Sequence, residues 1–530
     1  MGTRNPENVV IVGGGVAGWM TAAYLKAAFS DRISVTLIES GSEAGAAGPL
    51  SGEETTFSDI GRFFDFLGLA EEEWMPACNA AYKLAVRVQD WNRPGQHFYH
   101  PFEQTRSAGG FPLTEWWLHN GPSGRFDRDC FVVASLCDAG RSPRHLDGSP
   151  PPGLRGEAVG GQLPYAYHLD AALLAEYLRG HALGRGVRHL AGEVTDVRLD
   201  ERGWIGHLVT REHGEVHGDL FVDCTGFQGL LINRALRVPF VSYQGALPND
   251  SVVALRVPAD MRARGIAPYT TATARSAGWI WTIPLVSRLG VGYVYARDYC
   301  SPEEAERTLR AAVGPEAAGV EAAHGTLRVG RSRQAWKNNC VAVGASAGFV
   351  EPLACSEASF VHHAVAELVR NFPGAGGPSE GAAAFNASVA RVMDDARDFL
   401  ALHYQGAARE DSQYWRDTKT QTLPRALAER IERWRVRMPD AAGGAGGGTD
   451  TGGGAGAAGG PAAGPGLTPD SYACILLGTG AMPLRPSPAV SLADDEAARR
   501  QFAEVRDTAR ALVDTLPSQY EYFAQLGVPA

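Results

Sequence analysis

The chain carries 530 residues, 45% hydrophobic and 20% charged, with a formal net charge of -10. This balance predicts a globular protein with an ample core and two or three modules. The acidic excess argues against nucleic acid or an anionic membrane as a partner. No apolar run is long enough to cross a bilayer.

The opening "MGTRNPENVVIV" runs into a strand without a charged n-region and apolar h-region, so no signal peptide is expected. "NVVIVGGGVAGWMTAAYLKAA" then reads as a strand over 8–12, a glycine turn and an amphipathic helix from about Ala17. Gly13, Gly15 and Gly18 satisfy GxGxxG: the first permits a tight turn, the second admits a pyrophosphate to the backbone, and the third lets helix pack on strand. Val16 and Ala17 complete the expected cofactor contacts at this turn. A second strand, "ISVTLIES", ends in Glu39, 21 residues after Gly18, where an acid can bind ribose hydroxyls. Strand, turn, helix and acid together predict a bound dinucleotide. The eight scattered cysteines include no CxxC pair, which predicts no disulfide framework and no metal, and fits a reducing cytoplasm.

Two later segments bear on which dinucleotide. "GDLFVDCTGFQG", residues 218–229, resembles the second flavin-contact strand of FAD-dependent monooxygenases. "WKNNCVAVGASAGFVEPL", residues 336–353, resembles their third, which implies flavin contacts at Gly348 and Leu353 and a helix N-terminus facing the cofactor. These resemblances imply FAD. No second GxGxxG is present, so reduced flavin is expected from a separate flavin reductase.

Between them lies "SAGWIWTIPL". Alone it reads as a half-buried strand with Trp279 and Trp281 on one face. It also resembles the WxWxIP motif of flavin-dependent halogenases, with Ile283 and Pro284 completing it. "SGEETTF", residues 51–57, resembles the flavin-side loop of that family and implies a cofactor contact at Glu53. "YKLAVRVQDW", residues 82–91, resembles the strand carrying the family lysine, which is Lys83 here. "HYQGAAREDSQYWRDTK", residues 403–419, resembles another signature of the tryptophan halogenases. The resemblance implies FADH2, O2 and chloride or bromide as reactants, hypohalous acid as oxidant, and electrophilic halogenation of an arene beside Lys83. It makes Trp279 and Trp281 barrier residues rather than catalysts. "FYHPFEQ", residues 98–104, resembles the segment flanking the bound indole, which implies His100 and Phe102 as substrate contacts.

The residues around Lys83 have their own reading. Period two puts Tyr82, Leu84, Val86 and Val88 on one face and Lys83, Ala85, Arg87 and Gln89 on the other. Without the resemblance, a solvated edge lysine is the expectation; with it, an inward one.

Two departures concern the substrate. Where the family strap reads Glu-Pro-Leu-Glu-Ser-Thr-Gly, this chain has "EPLACSE", Glu351 to Glu357. Ala354 replaces the assisting Glu, and the halide positions become Ser356 and Glu357, the latter an awkward neighbour for an anion. The interval expected to grip a free amino acid contains "AAGGAGGGTDTGGGAGAAGGPAAGPG", residues 441–466, a Gly/Ala-rich linker expected to be poorly ordered.

The expected fold is α/β: a Rossmann-like, FAD-binding module of the flavin monooxygenase type with an interleaved β-sheet substrate region over 1–384, and a helical C-terminal part over 385–530. The apparent loss of the amino-acid clamp favours the indole of a peptide tryptophan, as in a lanthipeptide. Free tryptophan, another small or carrier-bound aromatic, and aromatic hydroxylation stay open, as do a non-enzymatic flavoprotein and a homodimer.

Overall fold

The computed structural model describes residues 6–41, 53–56, 58–151, 163–353, 356–374, 379–439, 467–480 and 485–526. Residues 441–466, Ala354 and the side chain of Glu53 lie outside them. The fold is mixed α/β, and the chain divides into two compact units, each built from three stretches of sequence.

The first unit comprises 1–80, 168–255 and 321–394. Its centre is a six-stranded sheet in the order Arg188–Ala191, Ser34–Glu39, Asn8–Val12, Leu220–Asp223, Cys340–Ala342 and Trp336–Lys337. The first five run parallel and only the last edge pair is antiparallel. Val9–Val12 and Leu220–Asp223 are buried throughout, as central strands of a sheet covered on both faces are. The chain leaves Asn8–Val12 toward one side of the sheet and later returns on its other side at Leu220–Asp223. Strand order therefore reverses between these two strands, and a crevice opens beyond their carboxyl ends.

The helix after the glycine turn is Val16–Phe29. It is not amphipathic as expected. Gly18 to Lys26 are all buried, because Ala171–Gly184 and Glu357–Arg370 pack against it while its remaining face lies on the sheet. A helix enclosed by neighbours is apolar all round, which its sequence reflects. Lys26 keeps its charge satisfied by snorkelling to the Ser30 carbonyl and to Asp31.

The second unit comprises 81–167, 256–320 and 395–530. It contains the strand run Arg288–Tyr295, Gly278–Pro284, Tyr269–Arg275, Ala85–Gln89 and His97–Pro101. Only the Tyr269–Arg275 and Ala85–Gln89 pair is parallel. Helices supply most of the described residues between 395 and 526. The seven described cysteines of the chain are all buried and free. Among the described residues, no helix is long and apolar enough to cross a membrane.

Candidate functional site

The crevice of the first unit starts at the glycine turn. Gly13 has φ +116°, and a Cβ there would lie 2.2 Å from the Cys224 carbonyl oxygen. Gly18 approaches as closely: its Cβ would meet the Gly13 carbonyl oxygen at 1.9 Å. Gly15 behaves differently. It is exposed, N-caps the helix, and a Cβ there would meet no atom within 4 Å. Gly13 and Gly18 are thus glycines for the protein's own packing, and Gly15 opens onto free space at a helix N-terminus. That is the cradle a pyrophosphate needs.

Glu39 ends its strand beside this turn. One carboxylate oxygen lies 2.9 Å from His189 Nε2. The side chain packs so closely over Gly14 that a Cβ there would sit 2.2 Å from Glu39 Oε1. The middle glycine of GGG therefore exists to admit Glu39, and His189 fixes the acid; neither was evident from the sequence.

Asp223 was also missed. Its buried carboxylate accepts hydrogen bonds from the Thr225 amide and hydroxyl at 3.0 and 2.6 Å, and from the Leu231 and Ile232 amides at 2.8 Å each. Burial raises its pKa against the pull of these donors. It ties the end of Leu220–Asp223 to the following helical turn and so holds the Cys224 carbonyl against Gly13.

The strap is partly described. Glu351 is buried and accepts from the Asn249 amide at 2.9 Å. Leu353 is buried, and buried Ser356 N-caps Glu357–Arg370 by accepting from the Ser359 amide at 3.2 Å. Glu357 opens that helix. It is accessible to solvent yet enclosed by enough protein that desolvation raises its carboxyl pKa, opposed by a hydrogen bond from the Ala345 backbone. Its Oε1 lies 3.4 Å from where a Cβ on Gly344 would be, a position that also crowds Ala17. Gly348 faces Arg331 and Met393, both 2.9 Å from a notional Cβ, so its lack of a side chain already has a packing reason.

In the second unit the expected continuous strand at Lys83 is interrupted. Ala81–Lys83 and Ala85–Gln89 are separate strands, and the Leu84 amide instead donates to the Pro268 carbonyl at 2.7 Å. The two-face reading fails here: Tyr82, Lys83, Leu84, Ala85, Val86 and Val88 are all buried. Lys83 is 1% exposed, with its Nζ 5.1 Å from the Phe102 ring centroid, within cation–π range. It points inward.

His100 lies nearby on His97–Pro101 and is buried. Burial, together with the positive potential of His403 and Lys83, drives its pKa down to about 3. Its ring packs on Phe399 with centroids 5.7 Å apart, and Phe399 meets His403 edge-on at 4.9 Å. His403 Nδ1 donates to the Phe399 carbonyl at 2.9 Å, which leaves Nε2 as the acceptor nitrogen. Burial lowers its pKa to about 4. Among the described residues, neither His100 Nδ1 nor His403 Nε2 has a hydrogen-bond partner. Phe399 went unread in the sequence and His403 was read only as the first residue of the 403–419 signature, although their i, i+4 spacing puts them on one helical face.

The motif tryptophans share a face of Gly278–Pro284, as expected, but the strand is buried rather than half-buried. Trp279 is 0% and Trp281 3% exposed, with ring centroids 6.2 Å apart. Trp281 lies across Gly292 of the next strand, where a Cβ would fall 2.0 Å from the indole. Ile283 pairs with Gly290 and Pro284 with Leu289 at the strand's end.

A parallel sheet with an open glycine turn at its switch point is the framework of a nucleotide-cofactor enzyme of the α/β class. The tryptophan halogenase family model matches residues 8–495, and the chain belongs to that family. It is a flavin-dependent halogenase, using FADH2, O2 and halide, with a separate flavin reductase and an aromatic substrate. The chain is 62% identical over 540 residues to the tryptophan 6-halogenase SttH of Streptomyces toxytricini, covering 99% of each. The crystal structure of that enzyme superposes with a TM-score of 0.90 over 98% of this chain and 100% of the other. It is 57% identical to the 7-chloro-L-tryptophan 6-halogenase KtzR of Kutzneria sp., covering 98% and 99%. The lanthipeptide tryptophan 5-halogenase MibH is more distant, at 29% identity and TM-score 0.81 over 99% and 94%. The preference for a peptide substrate therefore lacks support: it rested on an apparent missing clamp, whereas the alignment with SttH spans both chains nearly end to end.

Proposed function

We propose that this enzyme halogenates free tryptophan at C6 of the indole. The observation that carries this reading is the 62% identity, over 99% of both chains, to an enzyme named a tryptophan 6-halogenase. KtzR, also named a 6-halogenase, supports the same ring position.

Reduced FAD, when bound, supplies the two electrons with which O2 and halide become hypohalous acid. The glycine turn from Gly13 to Gly18, with Val16 and Ala17, holds the pyrophosphate, and Glu39 takes the ribose. Glu53, Gly348 and Leu353 belong to the flavin side, and backbone donors at Ser356 and Glu357 take the halide. Desolvation raises the Glu357 carboxyl pKa, the direction that eases the placing of an anion beside it.

Lys83 donates a hydrogen bond to hypohalous acid and polarises it, so that its halogen is delivered to the ring carbon facing Nζ. The balance is one aromatic C–H and one HO–X giving C–X and water. His100 and Phe102 hold the indole face. Because burial keeps His100 neutral, it adds no second positive charge beside Lys83. Trp279 and Trp281 act as barrier residues that keep substrate from the flavin, turning the site away from hydroxylation.

The test is an assay with FAD, a generic flavin reductase and either chloride or bromide, on free tryptophan, a tryptophan-containing peptide and a phenol. The expected product is 6-halotryptophan, identified by NMR, with free tryptophan at least about a hundredfold better in kcat/KM, a difference of about 2.7 kcal/mol. Preferential turnover of the peptide would overturn the free-tryptophan reading, and substitution at another carbon would overturn the C6 assignment.

A further inference from the structure

The three-stranded antiparallel sheet of the first unit, Val194–Leu199, Ile205–Thr210 and Gly214–His217, takes no part in the chemistry above. Its last two strands pair His207 directly with His217, and Val209 with Glu215. Side chains two residues apart on a strand share a face. His207, Glu215 and His217 therefore project from one side, and the two imidazole centroids are 5.1 Å apart.

Glu215 stands between the rings. His207 Nε2 lies 3.6 Å from its Oε1, and His217 Nε2 lies 3.3 Å from its Oε2. The three potential ligand atoms all fall within 4.8 Å of one another. Ligand atoms at about 2.05 Å from a tetrahedral metal are separated by about 3.4 Å, so both measured contacts lie close to one edge of such a polyhedron. His207 is half-buried while Glu215 and His217 are exposed, which leaves an approach for the ion and room for water in the remaining position.

We propose that His207, Glu215 and His217 form a site for a divalent transition metal of the zinc, cobalt or nickel type, separate from the halogenation chemistry. Two imidazoles and a carboxylate suit these borderline ions, whereas calcium and magnesium prefer all-oxygen sets. The ligands come from two strands, so the bound ion clips the hairpin together and favours the folded state. The sequence prediction of no metal rested on cysteines. The actual signal was the Glu-x-His alternation of a strand, which becomes a ligand set only when its register against His207 is known.

Neighbouring His213 provides an internal control, because its Nε2 is engaged with the Ala191 carbonyl oxygen at 2.9 Å. The experiment titrates tag-free, chelator-stripped full-length protein with Co2+, followed by visible ligand-field absorption, and with Zn2+ by calorimetry. One equivalent is expected to bind saturably. His207→Ala and His217→Ala should each weaken binding at least tenfold, the conservative Glu215→Gln should weaken it less, and His213→Ala should leave it unchanged. Zn2+ should raise the thermal midpoint of the wild type but not of His217→Ala. Absence of saturable binding at one equivalent, or wild-type affinity in both His207→Ala and His217→Ala, would overturn the site.

Discussion

At the glycine turn the backbone is the constraint, and at Lys83 the surroundings are. Gly13 adopts φ +116° against the Cys224 carbonyl, a conformation and a spacing that any Cβ would spoil. Lys83 occupies a short strand that any residue could form; its properties come from being 1% exposed beside Phe102, with His100 and His403 in the same unit. The first region advertises its function through the residue types it must contain. The second uses an ordinary residue in an extraordinary environment. A motif is therefore legible where sterics select the amino acid, and much less so where burial does.

The largest effect that would sharpen this contrast is expected at Lys83. Lys83→Ala should cost about a thousandfold in halogenation rate, about 4 kcal/mol, with flavin affinity unchanged. Product formation by mass spectrometry beside a flavin titration checks both halves, and wild-type turnover would remove Lys83 from the chemistry.

Next come two glycines two residues apart. Gly13→Val should destabilise the fold by about 3 kcal/mol, through the positive φ and the carbonyl clash. Gly15→Val meets no atom, so it should leave the thermal midpoint near wild type while weakening FAD binding about a hundredfold, about 2.7 kcal/mol. If thermal melts show both variants equally destabilised, Gly15 is structural and the open cradle is misread.

The smallest effect concerns pH. Burial holds His100, His362, His363 and His403 neutral, with pKa values lowered to about 3, 4, 4 and 4. The unfolded chain takes up protons near 6.5 that the folded chain refuses. The contribution of these histidines to stability should therefore be complete above about 6.5 and fall as pH drops toward 4. Glu103 and Asp470, raised by burial to about 7 and 6, act in the opposite direction across part of this window. Asp59, Asp223 and Glu357 are raised by burial as well, so the histidine contribution is read as the difference in pH slope between the wild type and a histidine variant. Denaturant melts at pH 7.5, 6 and 5 should show it, and His403→Gln should reduce the slope by at most about 1.4 kcal/mol per pH unit. An unchanged slope in His403→Gln would mean that this histidine titrates freely, which would contradict its burial.

The sequence alone determined the glycine turn, the acid beside it at Glu39, the tryptophan pair on one face of a strand, and the resemblance that led to the halogenase family. Each depends on spacing within about twenty residues, or on a backbone conformation that glycine accepts most readily. Tertiary structure decided the rest. Val16–Phe29 is enclosed by helices that arrive more than 140 residues later, so its amphipathic reading failed. The strand at Lys83 breaks because Leu84 bonds to Pro268, and Glu39 is fixed by His189 from the neighbouring strand, 150 positions along the chain. His403 reaches the vicinity of His100 from 303 positions along the chain. Hydrogen-bond partners, desolvation and cross-strand register are properties of neighbours in space, and a linear pattern carries them only when the local backbone leaves no alternative.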